Sequence, residues 1–303
     1  MNNLLVLFAN NLLPIFIIAG TGMLAGKYLK VSPRPVSQIA FYIFSPCLIF
    51  YLLTTNHLDN GDILRMSGFT AVGILILGGL ALLIGYLIRL ERRLLVAVLI
   101  TSMFGNAGNF GLSLSLFAFG ETALAHASLY FVTSAILTYT LGVIVVSLGR
   151  SSLKNSLLGL FKVPAVYATI LALIFNAMNW QLPLPLERPV NLLGEAAIPL
   201  LLVLLGLQFQ NSSWSRQTLA LTLSNVMRLV GGPVIAIGLA LLFGLQGASR
   251  QAGITESAMP TAVLTTVLAT EYDVEPAFVT SVVFLTTLLS PLTLTPLLAY
   301  LGA

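Results

Sequence analysis

One long apolar stretch of this chain is interrupted by glycine and asparagine. Residues 94–103 and 112–119 are nearly all apolar, but residues 105–111 between them read GNAGNFG. Glycine has the weakest helix propensity after proline, and asparagine carries polar groups that hydrocarbon cannot satisfy. Non-helical backbone is tolerated at membrane depth only where protein or a water-filled cavity covers it. The stretch therefore predicts a membrane helix that is broken at Gly105, Gly108 and Gly111.

The composition predicts an integral membrane protein. Apolar residues make up 57% of the 303 positions and charged residues only 8%, whereas soluble domains carry roughly 25% charge. The single cysteine, Cys47, excludes an internal disulfide, and His57 and His126 lie near predicted span ends, where we expect no metal site. The net charge of +4 bears on membrane topology and not on nucleic-acid binding.

The apolar runs predict an all-α fold with ten transmembrane helices, because a span needs about 20 mostly apolar residues. The predicted spans are residues 4–26, 36–55, 66–88, 94–118, 123–148, 163–180, 189–209, 217–244, 251–270 and 277–300. With both termini outside, most basic residues fall on the inner side, as the positive-inside rule requires. The inner group is Lys27, Lys30, Arg34, Arg89, Arg92, Arg93, Arg150, Lys154, Lys162 and Arg216; the outer group is Arg65, Arg188 and Arg250.

The two halves of the chain resemble each other. The sequence RPV opens the predicted spans at residues 34–36 and 188–190, and a mid-span proline follows each, at Pro46 and Pro199. GLALLIG at 79–85 is matched by GLALLFG at 238–244. Five spans per half is an odd number, so residues 1–150 and 151–303 are predicted to be inverted five-helix repeats. Inverted repeats with a site at the bilayer centre are typical of secondary transporters.

The repeat requires a second broken helix in span nine. Residues 256–261 read ESAMPT, with Pro260 inside an apolar segment; proline removes a backbone donor and clashes with the preceding turn. Helices four and nine are then expected to cross as broken helices near the membrane centre. Amide ends of half-helices favour anions and carbonyl ends favour cations. The alternative is that the glycines only allow tight helix packing and that Pro260 makes a kink without function.

Three segments resemble the auxin efflux carrier family, which includes the plant PIN-formed auxin carriers and bacterial malate or malonate permeases. GNAGNFGL at 105–112 is similar to that family's signature G-N-x-G-N-x-G-L-P, ESAMPTA at 256–262 to its second crossover, and LSPLTLTP at 289–296 to its last span. The family's proline after Gly-Leu is replaced here by Ser113, which suggests a softer kink.

The resemblance implies a scaffold of spans one, two, six and seven and a mobile transport domain of spans three to five and eight to ten. It also implies a substrate site between the two and a homodimer through the scaffold.

Five residues are candidates for substrate binding: Asn106, Asn109, Ser113, Arg228 and Thr261. Asn106 and Asn109 offer both donors and acceptors, and the alternative is that they cap half-helices. A charge placed centrally in a span is costly and needs a reason. Arg228 is such a charge, and either holds a carboxylate in bidentate fashion or forms a structural ion pair.

Glu256 and Ser257 are candidates for ion coupling. Glu256 stands just before the proline break and either binds Na⁺, carries a proton or pairs with Arg228. A carboxylate at the crossover serves Na⁺ in the bile-acid symporters, whose architecture is similar, but that is an analogy of fold alone. Glu195, six residues into span seven, either lines the substrate path, faces a dimer partner or reaches water at the outer interface.

Taken together, these features predict a secondary carrier of a small organic anion, such as a carboxylate, in a bacterial inner membrane, with no cofactor besides a coupling Na⁺ or H⁺. Two alternatives remain open. One is a cation/proton exchanger with Glu256 as its ion site. The other is an intramembrane enzyme or sensor, for which no nucleophile with a nearby base is evident in the sequence. The sequence contains no nucleotide-binding G-x-x-x-x-G-K-[ST] run.

Overall fold

The computed structural model describes residues 2–56, 60–147, 164–209 and 215–303, and in these ranges the regular structure is helical apart from one isolated bridge. His57, Arg150, Lys154 and Lys162 lie outside the described residues. The helices are α1 Leu4–Leu29, α2 Pro33–Thr55, α3 Asn60–Leu87, α4 Arg92–Met103, α5 Ala107–Val146, α6 Pro164–Ala177, α7 Leu184–Gln208, α8 Thr218–Leu242, α9 Gly247–Ser257, α10 Leu264–Glu271 and α11 Pro276–Leu301.

Seven of the described helices are long and apolar enough to cross a membrane, namely α1, α2, α3, α5, α7, α8 and α11. Large apolar side chains cover their outer surfaces; Leu83, Leu241 and Leu292, for example, are 54%, 76% and 72% exposed. The charged side chains of Arg228 and Glu256 are instead fully buried. Because large apolar side chains cover the outside and two charged side chains are buried within, the chain is an integral membrane protein of the helical class.

Three helices next to the predicted breaks are too short to span a bilayer alone. α4 has 12 residues, α9 has 11 and α10 has 8, which at about 1.5 Å per residue gives roughly 18, 16 and 12 Å. The hydrocarbon core is about 30 Å thick. Each of these helices therefore reaches only part of the way through the membrane.

Helix α5 is interrupted at a glycine. Gly120 has φ 78° and ψ −171°, between helical residues on both sides. A positive φ is accessible to glycine without steric cost, so the chain turns here between residues 107–119 and 121–146. This agrees with the predicted boundary between spans four and five. The count of ten spans and the inverted repeat stay predictions.

Two predicted spans begin several residues inside their helices. The third span was predicted from residue 66, whereas α3 begins at Asn60. The sequence placed the start of the seventh span at Pro189, but α7 begins at Leu184, after Pro183. Proline is tolerated in a first turn, where its missing N–H is not needed; Pro185 takes that place and Pro189 lies inside the helix. Glu195 is consequently eleven residues into α7 instead of six.

The helices pack in two sets of neighbours. α1 packs against α7, and α2 packs against α6 and α7. α9 packs against α5, α3 and the second half of α8, while α4 packs against α3 and the first half of α8. The breaks between α4 and α5 and between α9 and α10 therefore lie in the second set. Residues 107–111 also contact α7 of the first set.

Candidate functional site

The two interrupted segments meet and pair through their backbones. The N–H of Asn106 donates to the carbonyl oxygen of Pro260 at 2.7 Å, and the N–H of Ala262 donates to that of Phe104 at 2.9 Å. Phe104 is extended, with φ −105° and ψ 110°. The first break is thus a short extended segment and not the softer kink expected from Ser113. The pairing satisfies backbone groups that a membrane interior would otherwise leave unsatisfied.

Gly105 and Thr261 lie opposite each other in an antiparallel bridge at the centre of this crossing. The hydroxyl of Thr261 donates to the carbonyl oxygen of Thr101 at 2.8 Å, and its N–H donates to the hydroxyl of Thr286 at 3.1 Å. Thr261 is fully buried. Its side chain therefore ties the second break to α4, and its hydroxyl donor is committed to protein.

Arg228 joins both breaks through main-chain carbonyl groups. Its Nε donates to Met259 at 2.8 Å, its Nη1 to Ser102 at 3.0 Å and to Met103 at 3.3 Å, and its Nη2 to Ser257. All four acceptors lie at or just beyond the C-terminal ends of α4 and α9, where carbonyl groups lack helical partners. The guanidinium therefore neutralises two helix C-termini and holds them together.

The local sequence explains how α8 delivers this side chain. Met227–Gly231 is a π-helical turn, and Pro233 follows it at the start of the next α-helical segment. Proline removes a backbone donor, and single π turns are frequent at functional sites. Gly232 then lets α9 approach closely, because a Cβ there would lie 2.5 Å from the carbonyl oxygen of Ser257.

Glu256 is the second buried charge, and it is not paired with Arg228. The hydroxyl of Ser115 donates to its Oε1 at 3.2 Å, while Oε2 has no hydrogen-bond partner among the described residues. The ion pairs found in those ranges do not include Glu256. A buried carboxylate without a counter-charge is very costly.

The glycines of the first break make room for specific side chains. A Cβ on Gly111 would lie 2.0 Å from Oε2 of Glu256, and one on Gly105 would lie 3.1 Å from Nη2 of Arg228. A Cβ on Gly108 would lie 2.9 Å from the ring of Phe131. Only Gly105 stands in the extended segment; Gly108 and Gly111 belong to the π-helical turn Ala107–Gly111. Their absence of a side chain therefore matters for packing more than for the break.

Gly111→Ala is expected to lower the free energy of unfolding by about 1–3 kcal/mol, the usual cost of overpacking. The new methyl group would force Glu256 away from Ser115. Gly79→Ala is the matched control, because nothing lies within 4 Å of a Cβ at Gly79. Thermal unfolding of the purified variants measures the effect; equal melting temperatures of the Gly111 and Gly79 variants would show that Glu256 moves aside freely.

The two asparagines occupy different positions at the start of α5. Oδ1 of Asn106 accepts from the N–H of Asn109 at 3.3 Å, which is a helix cap, while Nδ2 of Asn106 has no partner among the described residues. Asn106 is only 5% exposed. Nδ2 of Asn109 donates to Oε1 of Gln208 at 3.2 Å, and the main-chain carbonyl oxygen of Asn109 accepts from the hydroxyl of Ser113 at 3.3 Å. One amide donor is therefore available at the crossing and one is bound to α7.

Sequence reasoning missed Gln208 because a lone polar residue at the end of a span is usually a helix contact. The available signal in the sequence was a polar residue at the end of an apolar span. In the structure, Gln208 lies beside a cavity of about 170 Å³ that Thr266, Thr270 and Thr280 also line. Ser257, a predicted ion-coupling residue, lies at the crossing, and its hydroxyl bonds to that of Tyr130 at 3.4 Å. No group of three or more metal-ligating side chains occurs in the described ranges.

Glu195 lies apart from the crossing, in a larger cavity of about 320 Å³. Helices α1, α2, α5 and α7 line this cavity, mostly with apolar groups, and Tyr51 and Glu121 are its other polar residues. Both carboxylates are solvent-exposed. The structure thus places Glu195 on a wall between the two sets of helices and not among the crossing residues.

A polar crossing of broken helices inside an apolar helical body defines a class of multi-pass membrane transport proteins. The sequence profile of the family described as "Membrane transport protein" matches residues 7–155 and 145–298 of this chain. The chain belongs to that family. Its members are transporters and not enzymes, and the resemblance to the auxin efflux carriers is confirmed by individual relatives.

Those relatives come from archaea, plants and bacteria. An uncharacterized transporter of Methanocaldococcus jannaschii is 27% identical over 276 residues, covering 89% of this chain and 88% of its own. The auxin efflux carrier component 3a of Oryza sativa subsp. japonica is 28% identical over 142 residues, covering 45% of this chain and 23% of its own. A "Putative malonate transporter" of Rhizobium meliloti is 27% identical over 206 residues, covering 64% of this chain and 63% of its own.

Proposed function

We propose that this transporter is a secondary carrier of a small carboxylate, which binds at the crossing of the two broken helices. The observation that carries the proposal is Nδ2 of Asn106, a buried amide donor without a partner in the described chain, at the N-terminus of the half-helix 107–119. Helix N-termini attract anions, and an unsatisfied buried donor calls for an explanation. A carboxylate oxygen would satisfy both.

The charges of the crossing suit one carboxylate group of the substrate. Each helix end carries about half an elementary charge, so the C-termini of α4 and α9 together offset the charge of Arg228. The N-termini of the half-helix 107–119 and of α10 then remain, with about one positive charge between them. Arg228 would support the anion mainly through this balance, since four hydrogen bonds to carbonyl groups hold its guanidinium.

The substrate has an internal competitor in Gln208. Its amide oxygen accepts from Nδ2 of Asn109 at 3.2 Å, which is the contact that a carboxylate oxygen would make. A carboxylate accepts stronger hydrogen bonds than a neutral amide, so substrate binding would release Asn109 from α7. Thr261 and Ser113 serve the site through the backbone that they hold.

Transport would follow alternating access between two domains. The scaffold would consist of α1, α2, α6 and α7, and the transport domain of the remaining helices, arranged as two inverted five-helix repeats with ten spans. The cavities of about 320 and 170 Å³ both lie along α7, one near Glu195 and the other at Gln208. They would be the two access routes to the crossing, with Glu195 on one of them. The protein would reside in a cell membrane with both termini outside, as a homodimer through the scaffold.

The coupling ion of this carrier would be a proton that Glu256 binds. Its Oε2 is buried and unpaired in the described chain, and an ionised Glu256 would cancel the positive charge that attracts the substrate. The alternative of a cation/proton exchanger, with Glu256 as the ion site, would leave the free donor of Asn106 without a role. Proton-coupled carboxylate transport accounts for both groups.

Asn106→Ala is expected to lower malonate uptake by about tenfold in proteoliposomes, the loss that corresponds to one hydrogen bond of about 1.4 kcal/mol. Malonate is the first probe because a relative is named for it. Asn11→Ala is the matched control: Asn11 is also buried, but its side chain donates to the carbonyl oxygen of Leu7 in its own helix. If the folded wild-type protein takes up no carboxylate, the proposal is refuted.

A further inference from the structure

The guanidinium of Arg228 lies where the C-termini of two half-helices meet. Its carbonyl partners are Ser102 and Met103 after α4, and Ser257 and Met259 after α9, in a fully buried position. Carriers with broken helices coordinate Na⁺ with unwound carbonyls and half-helix C-termini of this kind. We infer that Arg228 is a tethered replacement for such a metal ion, so that the crossing binds no Na⁺ or K⁺ during transport.

The guanidinium is closely packed against two glycines. A Cβ built on Gly105 would lie 3.1 Å from Nη2 and 3.2 Å from Cζ, and one built on Gly232 would lie 3.3 Å from Nη2. These distances are shorter than ordinary carbon contacts. Glycine at both positions gives the planar group just enough room, and the carbonyl oxygens that would bind a metal already accept hydrogen bonds.

A tethered cation has a different consequence from a bound one. A bound metal ion leaves the protein in each cycle and transmits its own gradient, whereas Arg228 stays with α8 and keeps the charge of the crossing constant. A sodium gradient would then have no means of driving transport at this site. The inference rests on the proposed function only in taking the crossing as the transport site.

Arg228→Ser is expected to empty the carbonyl site and to lower the melting temperature by several degrees. Guanidinium chloride at roughly 50 mM should raise the melting temperature of this variant by mass action, and should restore part of its malonate uptake. Choline chloride at the same concentration should do neither. Arg93→Ser is the matched control, because Arg93 is an exposed residue paired with Asp273, and guanidinium should not stabilise it.

Two further measurements test the inference even if the Arg228→Ser variant does not fold. Wild-type uptake should change less than about twofold when Na⁺ and K⁺ are replaced by choline on both sides, and Arg228→Lys should keep this insensitivity. Uptake that depends on Na⁺ in wild type, or a folded Arg228→Ser variant that guanidinium does not stabilise, would overturn the inference. Failure of the proposed function looks different: no carboxylate moves in any salt, while the thermal rescue by guanidinium is unaffected.

Discussion

Gly206→Ala should be among the most destabilising substitutions in this chain, with an expected loss of about 3 kcal/mol or more in the free energy of unfolding. A Cβ on Gly206 would lie 1.7 Å from the carbonyl oxygen of Ala19 and 2.7 Å from the backbone nitrogen of Met23. Both atoms belong to the backbone of α1, which cannot turn aside as a side chain can. The helices would have to separate.

A second contact of this kind exists in the reverse direction. A Cβ on Gly22 of α1 would lie 2.0 Å from the carbonyl oxygen of Val203 in α7. Small residues allow membrane helices to approach at backbone distance and to gain close packing. Gln208 follows Gly206 by two residues, so this approach also fixes the end of α7 that reaches Asn109.

Thermal unfolding of the purified protein in one detergent measures the effect. Gly238→Ala is the matched control, since nothing lies within 4 Å of a Cβ at that mid-helix glycine. Alanine has the higher helix propensity, so the control should gain up to about 1 kcal/mol. If both variants melt at the same temperature as wild type, then α1 and α7 do not pack at backbone distance.

The crossing of the two breaks could be predicted from sequence because each break has a local cause. Residues 105–111 combine glycine and asparagine in an apolar run, and Pro260 interrupts another. Local propensity is therefore enough to end α4 and α9 near the expected places. The pairing of Asn106 with Pro260 then follows from the need to satisfy exposed backbone groups in a membrane interior.

The partners of the charged residues could not be predicted in the same way. The sequence around a buried arginine looks the same whether the side chain binds a carboxylate or a carbonyl group. For Arg228, the positions of Ser102 and Met259 in the structure identify the partners as carbonyl groups. Likewise, the contact of Gln208 with Asn109 joins residues 99 positions apart. The start of α7 was missed for a local reason, because Pro185 and Pro189 both suit a first turn.

The charges at the crossing couple protonation of Glu256 to binding of the substrate. Arg228 is balanced by the two helix C-termini, and the two helix N-termini offer about one positive charge. Ionised Glu256 would offset that charge, whereas protonated Glu256 would leave it free for a carboxylate. Protonation and anion binding should therefore favour each other, with the reciprocity that thermodynamic linkage requires.

Glu256→Gln should abolish uptake of malonate driven by a pH gradient, while malonate exchange across the membrane should continue. Glutamine resembles the protonated carboxyl in shape and can keep the contact with Ser115, but it cannot release a proton. For wild type, uptake should fall as the pH on the substrate side rises, because the proton on Glu256 is lost and the anion is repelled. A pH-sensitive dye inside proteoliposomes measures the proton movement, and labelled malonate measures the exchange.

Glu195→Gln is the matched control: this exposed carboxylate lines the larger cavity, so its variant should keep the pH response. Proton movement with malonate in the Glu256 variant at the wild-type rate would remove Glu256 from the coupling.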